Sequence, residues 1–224
     1  MGMEEEALNS LLLSGSMWEE KPIKHYSQVI PVTIHHFYLS GEIEEEVDRY
    51  FDMLNILKTA EPHDKIFIYI NSPGGSLTTT MQIVSSISKC PAEVTTVLEG
   101  EACSGATFIF LTGDTYVVND NCQFMVHNYS HGTFGKGAEV NSHVDFSRKY
   151  FGELVQHFYK NFLTDKEIEQ LCDDKDFWMS SNELIKRLRK RGDGRIVEFA
   201  PFEMEEEEDA PKPKPKPRKP RKSK

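Results

Sequence analysis

The chain has no long apolar run, no paired cysteines and no excess of basic charge outside its last residues, and each lack removes a class of function. The early cluster Leu11–Leu13 is far shorter than the ~20 apolar residues a membrane-spanning helix requires. No basic-then-apolar leader opens the sequence, so the reading is a soluble, cytoplasmic chain with no membrane partner. The four cysteines, Cys90, Cys103, Cys122 and Cys172, form no C-x-x-C pair and have no metal-ligand spacing. They read as reduced thiols rather than as disulfides or ligands, and neither a metal nor a cofactor is expected. Eight Lys or Arg and no acids lie between Pro211 and Lys224. Setting those eight aside takes the formal net charge from −10 to −18, and a body that acidic argues against nucleic acid as a partner.

What is present suits one well-buried α/β domain. Residues 1–28 mix acids, a few leucines and Pro22 without periodicity and read as a flexible arm. Residues 29–200 carry the alternating strand and helix signals. Residues 201–224 are an acidic run and then a Pro/Lys alternation, which favours extended, solvated chain. Within the domain, strands are expected over Val29–Ser40, Asp64–Ile70, Val94–Leu98, Tyr116–Val118, Gln123–Val126 and Arg195–Phe199. Helices are expected from Ile43 to Leu57, with the acids Glu42–Glu46 at the positive end, and over Leu77–Ser88, stopped before Pro91. Ala106–Thr112 reads as a short buried helix. Ala138–Phe162 reads as a long amphipathic one that packs against a neighbour as well as its own body. Thr164 with Glu167 marks a capped helix, and Ser180 or Ser181 caps another through Arg189.

The centre of the chain is Tyr69–Gly113, where two glycine-rich turns each follow a strand and open a helix. A helix start leaves unpaired N–H groups that can receive developing negative charge. Gly74 and Gly75 permit unusual backbone geometry and close approach by a substrate. Ser104 heads the second turn between the small residues Ala102, Gly105 and Ala106, which suits an exposed nucleophile with an adjacent oxyanion donor. A serine in such a turn is more often only a helix cap. Cys103, next to it, is read as a packing residue before a rival nucleophile.

A serine nucleophile needs a base and a group to orient that base. His127, at the end of a strand beyond the serine turn, is the base candidate, and His131 in the next loop is its rival. His35, His36, His143 and His157 fall within periodic elements and read as surface or packing residues. Asp173, Asp174 and Asp176 share one turn, and spacing does not choose among them.

Four ordered strings, YINSPGGSLTTTMQIVSSI, EGEACSGATFIFLTG, QFMVHN and DKDFWMSSNE, closely resemble the Clp protease proteolytic subunit (ClpP) family. The resemblance covers roughly Phe37–Leu188 and implies Ser104 as nucleophile, His127 as general base and Asp176 as orienting acid. It implies an oxyanion hole from the N–H groups of Gly75 and Gly105. It implies a crotonase-like α/β fold of repeated ββα units, with the long helix as a protruding handle. Heptameric rings stacked in pairs, enclosing the sites and fed unfolded polypeptide by an ATP-consuming AAA+ unfoldase, belong to the same implication. The chain departs from the family at Gly105, where methionine is usual, at Lys175, where arginine is usual, and over Arg187–Gly194. The N-terminal arm lacks the family's lead-in, and the Pro/Lys tail has no counterpart in it. These changes suit a divergent, phage-encoded member. Three other readings remain: a non-catalytic ring subunit, a crotonase-type acyl-CoA enzyme and a phage capsid-maturation protease.

Overall fold

The computed structural model describes residues 26–130 and 132–197. The N-terminal arm up to residue 25, His131 and the tail from residue 198 lie outside the described residues. Tyr26–Pro31 belong to a first unit, Met1–Pro31, and are irregular and exposed. Every element below belongs to the second unit, which begins at Val32.

A mixed sheet organises this unit. β1 (Ile34–Ser40) pairs in parallel with β2 (Lys65–Ser72), and β2 with β3 (Glu93–Cys103). β3 is central and forks. Its Thr95–Leu98 half pairs with β4 (Thr115–Val118), and its Glu101–Cys103 end pairs with β5 (Gln123–Val126). β7 (Arg195–Val197) extends the β4 side in parallel, while β6 (Phe177–Ser180) pairs with β5 antiparallel. The residues explain the placement. Ile66, Ile68 and Ile70 alternate with half-exposed neighbours on β2, whereas Val94–Leu98 of β3 are buried without a break, as a central parallel strand requires.

The helices fall in the expected places. A 3-10 turn (Val47–Tyr50) leads into α1 (Phe51–Thr59). α2 (Leu77–Ile87) is capped by Ser76, whose side chain accepts from the Thr79 N–H. α3 (Gly105–Phe110) is buried at all its positions, in keeping with a sequence whose one polar side chain is Thr107. α4 (Gly137–Tyr159) is the long helix; its buried residues, Phe151, Val155, Phe158 and Tyr159, all lie in its C-terminal half. Thr164 and Glu167 form the capping box of α5 (Asp165–Cys172), and α6 (Ser181–Arg191) ends at Gly192 in the left-handed region, φ 70°.

Several boundaries differ from the sequence reading, and β6 is not among the expected strands. β1 begins at Ile34 rather than Val29; Pro31 has no N–H for a ladder, and Val29, Ile30 and Val32 are exposed. Helical structure begins at Val47 rather than Ile43, because Ile43 is a buried strand-like residue bridged to Gly75. β3 runs on through Glu99-Gly100-Glu101 to Cys103, so the second turn shrinks to Ser104 alone. Gly100 makes that extension possible: a Cβ there would stand 2.5 Å from Asn71 Oδ1, the atom that accepts the Glu101 N–H at 3.2 Å.

Candidate active site

The first glycine turn is clamped from both sides. The Ile43 N–H donates to Gly74 O at 2.8 Å and the Ser76 N–H to Ile43 O at 2.7 Å, while the Gly74 N–H donates to Ser72 Oγ at 3.1 Å. Gly74 and Gly75 adopt φ values of 95° and 145°, where side chains are strained. A Cβ on Gly74 would also lie 2.6 Å from the Cβ of Ser104, so the turn packs directly on that serine.

Ser104 sits where β3 gives way to α3, with φ 54° and ψ −125°. Such a conformation costs a non-glycine residue ~1–3 kcal/mol and persists only where neighbours impose it. Here the neighbours are explicit. The Ser104 N–H donates to Met125 O at 2.9 Å, continuing the β3–β5 ladder, and Ser104 O accepts from the Thr107 N–H at 3.0 Å. The sharp turn leaves the serine half-exposed at the carboxyl end of a central strand, the edge at which open α/β sheets bind ligands.

His127 follows the last residue of β5, at the same end of the neighbouring strand, and is half-buried. The β5–β6 register ends on the pair Val126↔Phe177, and His127 and Asp176 are the next residues beyond it on the two segments. The other two carboxylates of the turn are placed differently. Asp174 accepts from Asn128 Nδ2 at 2.6 Å, and Asp173 is the C-cap residue of α5. Among the described residues, no hydrogen bond joins Ser104 to His127 or His127 to Asp176.

One cavity of about 590 Å³ brings most of the candidates together: Gly75, Ser104, Gly105 and His127 all line it. Asp176 does not line it and is exposed. The Gly75 and Gly105 N–H groups donate to no described residue, and both glycines line the cavity. Gly105 is also a steric necessity, since a Cβ there would meet Thr80 Oγ1 at 2.6 Å and Thr80 is fully buried. Cys103 is buried, and burial, followed by the neighbouring Glu101 carboxylate, pushes its thiol up to about 11. It has no access to the cavity chemistry. No group of three or more His, Cys, Asp or Glu among the described residues is placed to hold a metal ion.

His143 and Glu45 are among the cavity residues that escaped the sequence reading. His143, read there as a surface or packing residue, lines the cavity from α4, as does Glu45 from the segment before the 3-10 turn. Periodicity placed His143 on a helix but not on the face that meets the serine turn. Glu45 reaches the cavity only because Ile43 is tied to Gly75, a pairing without a local sequence signal. Two of the other histidines are exposed and touch aromatic rings: His36 stacks on Phe67 at 5.2 Å, and His157 meets Phe158 edge-on at 4.7 Å.

No helix among the described residues is long and apolar enough to cross a membrane. A family model described as Clp protease matches residues 19–187, a span that contains both glycine turns, the strand ends that carry Ser104 and His127, and the Asp176 turn. The match extends over well more than half of the sequence, and with the mostly parallel α/β sheet it shows that the chain belongs to the Clp protease family.

Proposed function

We propose that the chain is a serine endopeptidase that cuts unfolded polypeptide into short peptides through an acyl-enzyme. The observation that carries this reading is one cavity lined by a strained serine, a histidine and two glycines whose N–H groups donate to no described residue. Ser104 Oγ attacks the scissile carbonyl carbon while His127 takes its proton. The carbonyl oxygen becomes an oxyanion and accepts from the Gly75 and Gly105 N–H groups. His127 then gives the proton to the departing amine, leaving an ester on Ser104. A water attacks that ester, loses a proton to His127, and releases a carboxylic acid product as Ser104 recovers its hydroxyl hydrogen. Asp176 accepts from the second ring nitrogen of His127 and so holds the tautomer that each step requires.

The family also supports a ring assembly, heptameric and stacked in pairs, acting in the cytoplasm with an AAA+ unfoldase that supplies substrate and consumes ATP. The first half of α4, from Gly137 to Tyr150, buries no residue in the single chain and leaves Phe146 64% exposed, which suits a contact with another copy. No cofactor or metal enters the mechanism. One observation favours a second reading. Among the described residues the three candidate side chains share no hydrogen bond, and Asp176 does not line the cavity that Ser104 and His127 share, as in a ring subunit without activity or a site completed by assembly. Catalytic hydrogen bonds often tighten only in the complex with substrate, which keeps the peptidase reading first.

The experiment is turnover of a fluorogenic, unstructured peptide by wild type and Ser104→Ala, with the assembled mass of each measured alongside. Turnover by wild type and none by an equally assembled variant supports the peptidase. Equal turnover by both removes Ser104 from the reaction.

A further inference from the structure

The peptide unit between Ser104 and Gly105 is held from its carbonyl side by a buried chain of hydroxyl groups. Thr107 Oγ1 donates to Ser104 O at 2.5 Å, and Tyr159 Oη lies 2.6 Å from Thr107 Oγ1. The direction of the chain follows from the number of protons. A carbonyl only accepts, so the one hydroxyl hydrogen of Thr107 goes to Ser104 O, and Tyr159 must be the donor to Thr107. Both residues are buried, at 0% and 1% exposure, so no water competes for these bonds. Burial above all raises the Tyr159 phenol far beyond its ordinary value, and it keeps its hydrogen at any working pH.

Tyr159 is fixed independently of this bond. It is the last residue of α4, and its ring stacks on Phe108 at 5.2 Å. It also lines the cavity that holds Ser104. A threonine bonding back to the carbonyl three residues earlier is common in helices and needs no special role. A buried tyrosine from a distant helix that fixes the threonine's proton is not part of that habit.

The far side of the same peptide unit is the Gly105 N–H. Because a trans peptide is planar, with its C=O and N–H pointing in opposite directions, fixing the carbonyl also aims the N–H. Donation into the carbonyl polarises the unit and makes its N–H a stronger donor. We propose that Thr107 and Tyr159 are positioning residues for the oxyanion hole: their hydroxyl chain aims and polarises the Gly105 N–H toward the cavity. The inference rests on the serine-peptidase reading of the same site.

Steady-state cleavage of an extended fluorogenic peptide by wild type, Tyr159→Phe, Thr107→Val and Thr107→Ser tests it, on assemblies of matched mass. Losing an oxyanion donor outright lowers kcat ~10²–10³-fold, so weakening one indirectly should lower it ~10-fold. Tyr159→Phe and Thr107→Val should show that fall in kcat, with KM within about twofold of wild type because ground-state binding is untouched. The rate of Ser104 phosphonylation by a fluorophosphonate should fall in parallel, since the reagent's oxygen enters the same hole. Thr107→Ser retains the hydroxyl and should retain the rate, which separates the bond from mere packing. A Tyr159→Phe enzyme with wild-type kcat overturns the proposal, as does a Thr107→Ser enzyme as slow as Thr107→Val. A wild type that neither turns over peptide nor labels on Ser104 removes the underlying reading and the proposal with it.

Discussion

Glu167→Gln should cost stability at neutral pH and cost almost nothing in strong acid. Glu167 receives Arg187 through Nη2 at 2.8 Å and Nη1 at 3.0 Å, a two-pronged contact between α5 and α6. Arg187 also donates Nε to Glu183 at 2.8 Å and Nη1 to Phe162 O at 3.2 Å, so one guanidinium ties three segments. The two partner side chains are only 19% and 21% exposed. The Arg187 hydrogen bonds, helped by those from Thr164, outweigh burial and hold the Glu167 carboxyl down at about 2, against an ordinary 4.5. At about 1.4 kcal/mol per tenfold change in proton affinity, that gap sets a ceiling of ~3 kcal/mol. Partial exposure and salt screening reduce the expected effect to ~1–2 kcal/mol. The sign is that of a carboxylate depressed by folding. Its contribution is complete above pH 4.5 and drains away as pH falls toward 2, where folded and unfolded chains are both protonated. Urea unfolding followed by tryptophan fluorescence, at one protein concentration, should show wild type more stable than Glu167→Gln at pH 7. The two should converge as pH falls from 4.5 toward 2. An unchanged gap across that range, or no gap at pH 7, would refute the reasoning.

Three further outcomes are expected. Asp176→Asn should lower kcat ~10³–10⁴-fold through loss of the required His127 tautomer, whereas Asp174→Asn, whose amide can still accept from Asn128, should stay within about tenfold of wild type; equal effects in peptide cleavage would contradict the choice of Asp176. Gly105→Ala should lower stability by ~1–3 kcal/mol through collision with the stiff, buried Thr80, and Thr80→Ala in the same chain should return part of that loss in thermal melting. A melting point unmoved by Gly105→Ala would show that the turn relaxes freely. Removing Pro211–Lys224 should leave small-peptide turnover unchanged, and a collapse of turnover would give the tail a structural role.

Much of this fold was legible because its signals are local. β-branched runs ending in glycine turns gave β2 and β3, the apolar stretch after Ser104 gave a helix buried on every side, and Thr164 with Glu167 gave a capping box that forms as expected. Ser104 and His127 could be picked out as candidates because each sits at a strand end, a position that periodicity reveals. The choice among Asp173, Asp174 and Asp176 was closed to spacing, because all three sit in one turn, and Asp176 rests on the family resemblance. What escaped depends on contacts between distant segments. Ile43 fits a helical pattern yet forms a bridge to Gly75, and the Thr107–Tyr159 bond joins residues on α3 and α4. No local pattern announces either.

The central claim is an activated serine at position 104, and intact-mass analysis after fluorophosphonate treatment tests it most directly. The account predicts one adduct per chain on the assembled wild type and none on Ser104→Ala. An assembled wild type that takes up no adduct, or a variant that takes up as much as wild type, would contradict it.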